Sequence, residues 1–178
     1  MSDTRRHPQV VNIEDVQPVS QEQGAFAPMT RRLGAAAGGR ALGCSHFELG
    51  PGKTAFPYHF HSALEEAIYV LEGRGTLRIG PDRVALRSGD YVALPPGPNF
   101  AHALTNDGDG PLRYLCFSGN ATPTSMEILV YPDSKKIAFA AGLEPGKSLR
   151  DGWVSKIIKQ DQPAVGYYED EPLAEPKK

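Results

Sequence analysis

The chain has 178 residues, 40% hydrophobic and 22% charged, with 19 Lys+Arg against 21 Asp+Glu and a formal net charge of −2. That is an ordinary globular composition, and the length suffices to bury a core without staples. No basic block occurs and no apolar run approaches the ~18–20 residues of a membrane helix, so neither nucleic acid nor a membrane is an expected partner.

The chain opens Met-Ser-Asp-Thr-Arg-Arg-His-Pro, polar and with no apolar stretch behind it, so a signal peptide is not expected. Cys44 and Cys116 match no metal or redox spacing and are expected as reduced, buried thiols, with the cytoplasm as the location. Residues 1–40 are read as an N-terminal arm. Val10 to Val19 can hold a short strand, and Gly34 to Gly39 is too small and flexible to anchor a core.

From about 41 the pattern becomes regular. Short alternating runs predict strands near 41–48, 54–61, 65–72, 75–80, 83–87, 91–94, 101–105 and 112–118. Between them stand turn clusters such as Gly50-Pro51-Gly52, Gly80-Pro81-Asp82 and Asn106-Asp107-Gly108-Asp109-Gly110. Such spacing points to an antiparallel sandwich or barrel over 41–120. Residues 121–178 are read as a C-terminal extension. In it Met126–Tyr131 and Lys136–Ala141 look like strands, Trp153 to Ile158 is short and amphipathic, and the charged, Pro-rich end is expected to be disordered.

Three of the five histidines fall where they can meet. His59 and His61 are two apart, so on a strand they share a face. Glu66 opens the run Glu66-Ala-Ile-Tyr-Val-Leu and shares a face with Ile68 and Val70. A carboxylate there is costly to bury unless something neutralises it, and a metal cation is the simplest partner. His102 lies in a further apolar run, Phe100 to Leu104. Singly, each of these is more often structural than a ligand; the combination carries the reading.

The segment Gly52-Lys-Thr-Ala-Phe-Pro-Tyr-His59-Phe-His61-Ser-Ala-Leu-Glu-Glu66-Ala-Ile-Tyr-Val-Leu-Glu-Gly73-Arg-Gly75 resembles the first motif of the cupin superfamily. There a Gly and His-x-His are followed by Glu, six residues and Gly. This spacing selects Glu66 over Glu65, which on a strand aims the opposite way. The second motif is similar over Gly89-Asp-Tyr-Val-Ala-Leu-Pro95-Pro-Gly97-Pro-Asn-Phe-Ala-His102-Ala-Leu-Thr-Asn106. It departs only in having four residues between Gly97 and His102 where the common pattern has two. The likeness spans about 41–118. The flanks, including Val130-Tyr-Pro-Asp-Ser134 and Tyr167-Tyr168-Glu-Asp-Glu171, are similar to uncharacterised small bacterial single-domain cupins of the conserved-barrel type.

The resemblance implies an all-β, double-stranded β-helix (jelly-roll) barrel with terminal extensions. It also implies one divalent metal on His59, His61, Glu66 and His102. Three imidazoles and a carboxylate suit Mn, Fe, Co, Ni, Cu or Zn, whereas Mg or Ca prefers more oxygen. It further implies a metalloenzyme for a small carboxylate, sugar or phenolic substrate, as a decarboxylase, isomerase or dioxygenase. A non-catalytic ligand- or metal-binding module is the alternative, and no catalytic residue is assigned. Phe56, Tyr58, Phe60, Phe100, Tyr114 and Phe117 are pocket or core candidates. Arg78 should face solvent and Asn106 should cap a turn. Trp153, Tyr167 and Tyr168 are expected to pack on the barrel, and an open antiparallel edge predicts a homodimer.

Overall fold

A computed structural model describes residues 6–119, 126–142, 152, 154–166 and 169. Strands β1 (Val19–Ser20), β2 (Pro28–Arg31), β3 (Leu42–Leu49), β10 (Leu112–Gly119), β5 (Glu66–Glu72) and β8 (Tyr91–Leu94) form one sheet, in the order β1-β2-β3-β10-β5-β8. A second sheet runs β13 (Val154–Lys159), β12 (Lys136–Ala141), β11 (Met126–Tyr131), β4 (Phe60–His61). A third runs β7 (Asp82–Arg87), β6 (Arg74–Ile79), β9 (His102–Thr105). Every pairing between these strands is antiparallel. Among the described residues helical structure is confined to short pieces, Ile13–Asp15, Leu33–Ala36 and Pro98–Phe100. The fold is an all-β jelly-roll barrel.

Period-2 alternation decides which side chains fill it. Ile68 and Val70 of β5, Leu112 and Tyr114 of β10, Phe47 and Leu49 of β3, Leu77, Leu94 and Leu104 are buried together. Phe47 stacks on Tyr114 with ring centroids 5.1 Å apart. Tyr114 is therefore core, whereas Phe56 and Phe100 stay exposed. Strands from both flanks are hydrogen-bonded into the sheets, β2 against β3 and β11 against β4. Gly73 joins β5 to β6 at φ +86°, and a Cβ there would collide with the Pro111 carbonyl. Gly is thus required twice over at this turn.

Some expectations change on inspection. The strand predicted over 54–61 narrows to Phe60–His61, because Pro57 interrupts the ladder and residues 54 to 59 form isolated bridges instead, Phe26↔Thr54, Thr54↔Thr105 and His59↔His102. The small residues from 33 form one helical turn packed on β3. The amphipathic stretch near 153–158 is strand β13. Trp153, Tyr167, Tyr168 and residues 170–178 lie outside the described residues.

Arg78 points outward as expected. It stacks its guanidinium on Tyr58, 3.5 Å from the ring centroid, and pairs with Asp133 at 3.0 Å through Nη2. His46 on β3 is buried. Burial, with the Arg31 charge, pushes its imidazole below the ordinary value, and Arg113 acts likewise against Glu48 and Glu14. His46 is therefore held neutral in the fold, while the unfolded chain takes up a proton near pH 6.5. Stability from this group is present above that pH and is lost on acidification. His46→Leu should show a smaller fall in melting temperature between pH 7 and 5 than wild type; an unchanged fall would contradict this.

Candidate metal centre

Three strands converge at one end of the barrel. His61 lies on β4, Glu66 opens β5 and His102 opens β9. His59 is fixed opposite His102 by two backbone hydrogen bonds, His59 N–H to His102 O at 3.1 Å and His102 N–H to His59 O at 2.8 Å. Potential ligand atoms of His59, His61 and Glu66 all lie within 4.8 Å of one another. Glu66 Oε2 is 3.4 Å from His61 Nε2 and 3.4 Å from His102 Nε2. The His59 and His102 rings are 4.8 Å apart between centroids. All four residues named from the sequence are therefore brought together, and Glu65, one position off, is exposed.

The other ring nitrogens explain why these edges converge. His59 Nδ1 is 2.8 Å from the Pro57 carbonyl, and His102 Nδ1 is 3.0 Å from the Phe100 carbonyl. A carbonyl only accepts, so each Nδ1 carries a proton, which in the neutral ring leaves the lone pair on Nε2. His61 Nδ1 faces a carboxylate instead, Glu127 Oε1 at 3.2 Å. This threefold tethering of the non-ligating nitrogen is the arrangement that orients metal-binding imidazoles.

Electrostatics sharpen the picture. Burial, with His102 and His61 nearby, pushes His59 down to about 4. Burial alone would also lower His61, but hydrogen bonds to Glu127 and Glu66 prevail and raise it to about 9. Burial would raise Glu66, yet the His102 and His61 imidazoles hold it well below the usual carboxylate range. Two carboxylates thus flank His61 and call for positive charge among the Nε2 atoms. Three imidazole edges and a carboxylate oxygen are a donor set that fits a divalent transition metal.

Sequence reasoning missed two neighbours, Glu127 and Tyr131. Both sit on β11 with Leu129 between them, all on one face. Tyr131 stacks on His59 at 5.8 Å between centroids. The signal for Glu127 was an acid alternating with buried Leu129, the same signal that singled out Glu66. Cys116 is also adjacent, its thiol 3.9 Å from Glu66 Oε1. Burial and the Glu66 charge raise it well above the ordinary thiol value, so it is a protonated neighbour. Cys44 and Cys116 are free, and half-buried rather than fully buried as expected.

Comparison with known proteins fits this geometry. Residues 45–118 match the family model described as Cupin domain. A curated relative, Uncharacterized protein MJ1618 of Methanocaldococcus jannaschii, is 37% identical over 60 residues, which are 34% of this chain and 46% of the relative. The chain thus spans under half the length of that relative. Among solved structures, a proposed sugar phosphate isomerase from Acidithiobacillus ferrooxidans superposes with a TM-score of 0.74 at 24% identity, over 89% of this chain and 97% of that one. A cupin-superfamily sugar phosphate isomerase from Silicibacter pomeroyi gives 0.72 at 21%, with the same coverage. The polyketide cyclase RemF of Streptomyces resistomycificus gives 0.54 at 26% identity, over 62% of this chain and 78% of that one. Its motifs and the match over residues 45–118 identify a cupin domain in this chain, on a barrel whose fold these structures share.

Proposed function

We propose that the protein holds one divalent transition metal on His59, His61, Glu66 and His102, and that it acts there on a small oxygen-rich molecule such as a carboxylate, sugar or phenolic compound. The observation that carries this reading is the set of tethered Nδ1 atoms, which leaves three Nε2 edges and Glu66 Oε2 facing one another. A bound ion supplies Lewis acidity or redox chemistry toward an oxygen ligand. The protein's part is to fix the donors, to keep bulk water out and to leave an approach. The His61 and Glu66 side chains remain 12% and 17% exposed, so the donors touch solvent on one side. Phe56 and Tyr131 flank His59 and supply apolar walls. RemF, above a quarter identity, is named for a polyketide, a carbonyl-rich molecule, which supports the substrate class without choosing the substrate.

A second reading has its own support. Glu127 and Cys116, the titratable neighbours identified beside the ligands, are turned to the ligands themselves. That arrangement suits a module that binds a small ligand or stores a metal without turning anything over. Metal-loaded protein offered a panel of carboxylates, sugar phosphates and phenols separates the two. Turnover or oxygen uptake lost on chelation is the expected result. Ligand-dependent melting shifts without product would replace it with the binding module.

The same reading includes a cytoplasmic homodimer. Tyr69, Leu71 and Tyr91 are exposed on the outer face of β5 and β8, where a second copy would cover them. Sedimentation showing a monomer at every concentration would remove the dimer. No helix among the described residues is long and apolar enough to cross a membrane.

A further inference from the structure

We propose that Glu127 is a positioning residue of the metal centre, holding His61 as an Nε2 ligand. The proposal rests on the metal reading above. Glu127 is 1% exposed, as deeply buried as the central leucines. An ionised carboxylate at that depth is costly unless its oxygens find donors or a nearby positive charge. Its Oε1 accepts from the Ser62 N–H at 3.1 Å and lies 3.2 Å from His61 Nδ1. Its Oε2 is buried without a hydrogen-bond partner among the described residues.

Such a half-satisfied buried acid calls for an explanation. Among the described residues its ion-pair partner is His61, with no arginine or lysine. A divalent ion on the far edge of the same imidazole supplies the missing charge through the ring.

The placement follows from topology. Strand β11 pairs with β4 in the register Leu129↔His61, and the Ser62 N–H also bonds the Ile128 carbonyl at 2.9 Å. That register carries the carboxylate two residues before Leu129 to the Nδ1 side of His61. The family-model match ends at residue 118, so Glu127 lies outside it.

Glu127→Gln tests the charge alone. Its amide oxygen can keep both donors, and its NH2 can occupy the place of the unpartnered oxygen. Competition titration with Zn(II) should show affinity about 10- to 100-fold weaker than wild type, and weaker still in Glu127→Ala. Unchanged affinity in a folded Glu127→Gln protein overturns the proposal while leaving the metal site standing. Wild-type protein that takes up no metal overturns both. Zinc-loaded wild type provides a readout that does not depend on any Glu127 variant folding. Its ¹H–¹⁵N spectrum should contain a His61 Nδ1–H resonance protected from exchange, and a zinc bond through Nδ1 would overturn the assignment.

Discussion

Converting both His59 and His102 to alanine should lower affinity for a divalent transition metal by on the order of a thousandfold or more, since two of four donors vanish from a buried site. The fold should survive. The two residues are joined through backbone groups, His59 N–H to His102 O and His102 N–H to His59 O, and these bonds do not need the imidazoles. Glu66 loses one imidazole and keeps His61. Chelator competition with Zn(II) or Mn(II), beside a circular dichroism spectrum, reads both quantities. A folded double variant that binds as tightly as wild type would show that the ion, if bound, sits elsewhere.

The largest effect on stability is expected at Asn106, which no metal argument touches. Its side chain is wholly buried. Nδ2 donates to the Leu49 carbonyl at 2.8 Å and to the Gly110 carbonyl at 2.9 Å, while Oδ1 accepts the Gly108 N–H at 2.9 Å. Its backbone also bonds Gly52 and Lys53, so one residue joins the turn after β3 to the loop before β10. Asn106→Ala strands a backbone donor and two acceptors and should cost about 3–4 kcal/mol in chemical denaturation. Asn106→Asp keeps the acceptor but turns a buried charge toward two carbonyls. It should be at least as unstable at pH 7 and should recover partly in acid, where a protonated carboxyl can donate to one of them. A loss below about 1 kcal/mol for the alanine variant would contradict this account.

Much of this was legible in the residues alone. Alternation and turn clusters located β3, β5 to β10, β11 and β12 to within a residue or two, because each strand buries one face and is closed by Gly, Pro or Asn. The four candidate ligands were legible as a set through the resemblance of the two motifs, since singly His59, His61, Glu66 and His102 are only polar groups in apolar runs. The turn-capping role of Asn106 followed from its place after β9. What stayed hidden depends on pairings distant in sequence. Residues 54 to 59 read as a strand by alternation, but Pro57 breaks the ladder. Glu127 shows its alternation with Leu129 locally, yet its meeting with His61 requires that β11 return 66 residues later to β4. The single turn from Leu33 to Ala36 has no hydrophobic period to reveal it and forms by packing on β3.

The central claim is that the four side chains hold an ion, and the metal content of natively purified protein tests it most directly. Elemental analysis should find about one transition metal per chain, removable by chelation and restored by the same metal. Protein that is empty as purified, and that takes up none of Mn, Fe, Co, Ni, Cu or Zn, would contradict the account and leave a barrel whose buried acids need another explanation.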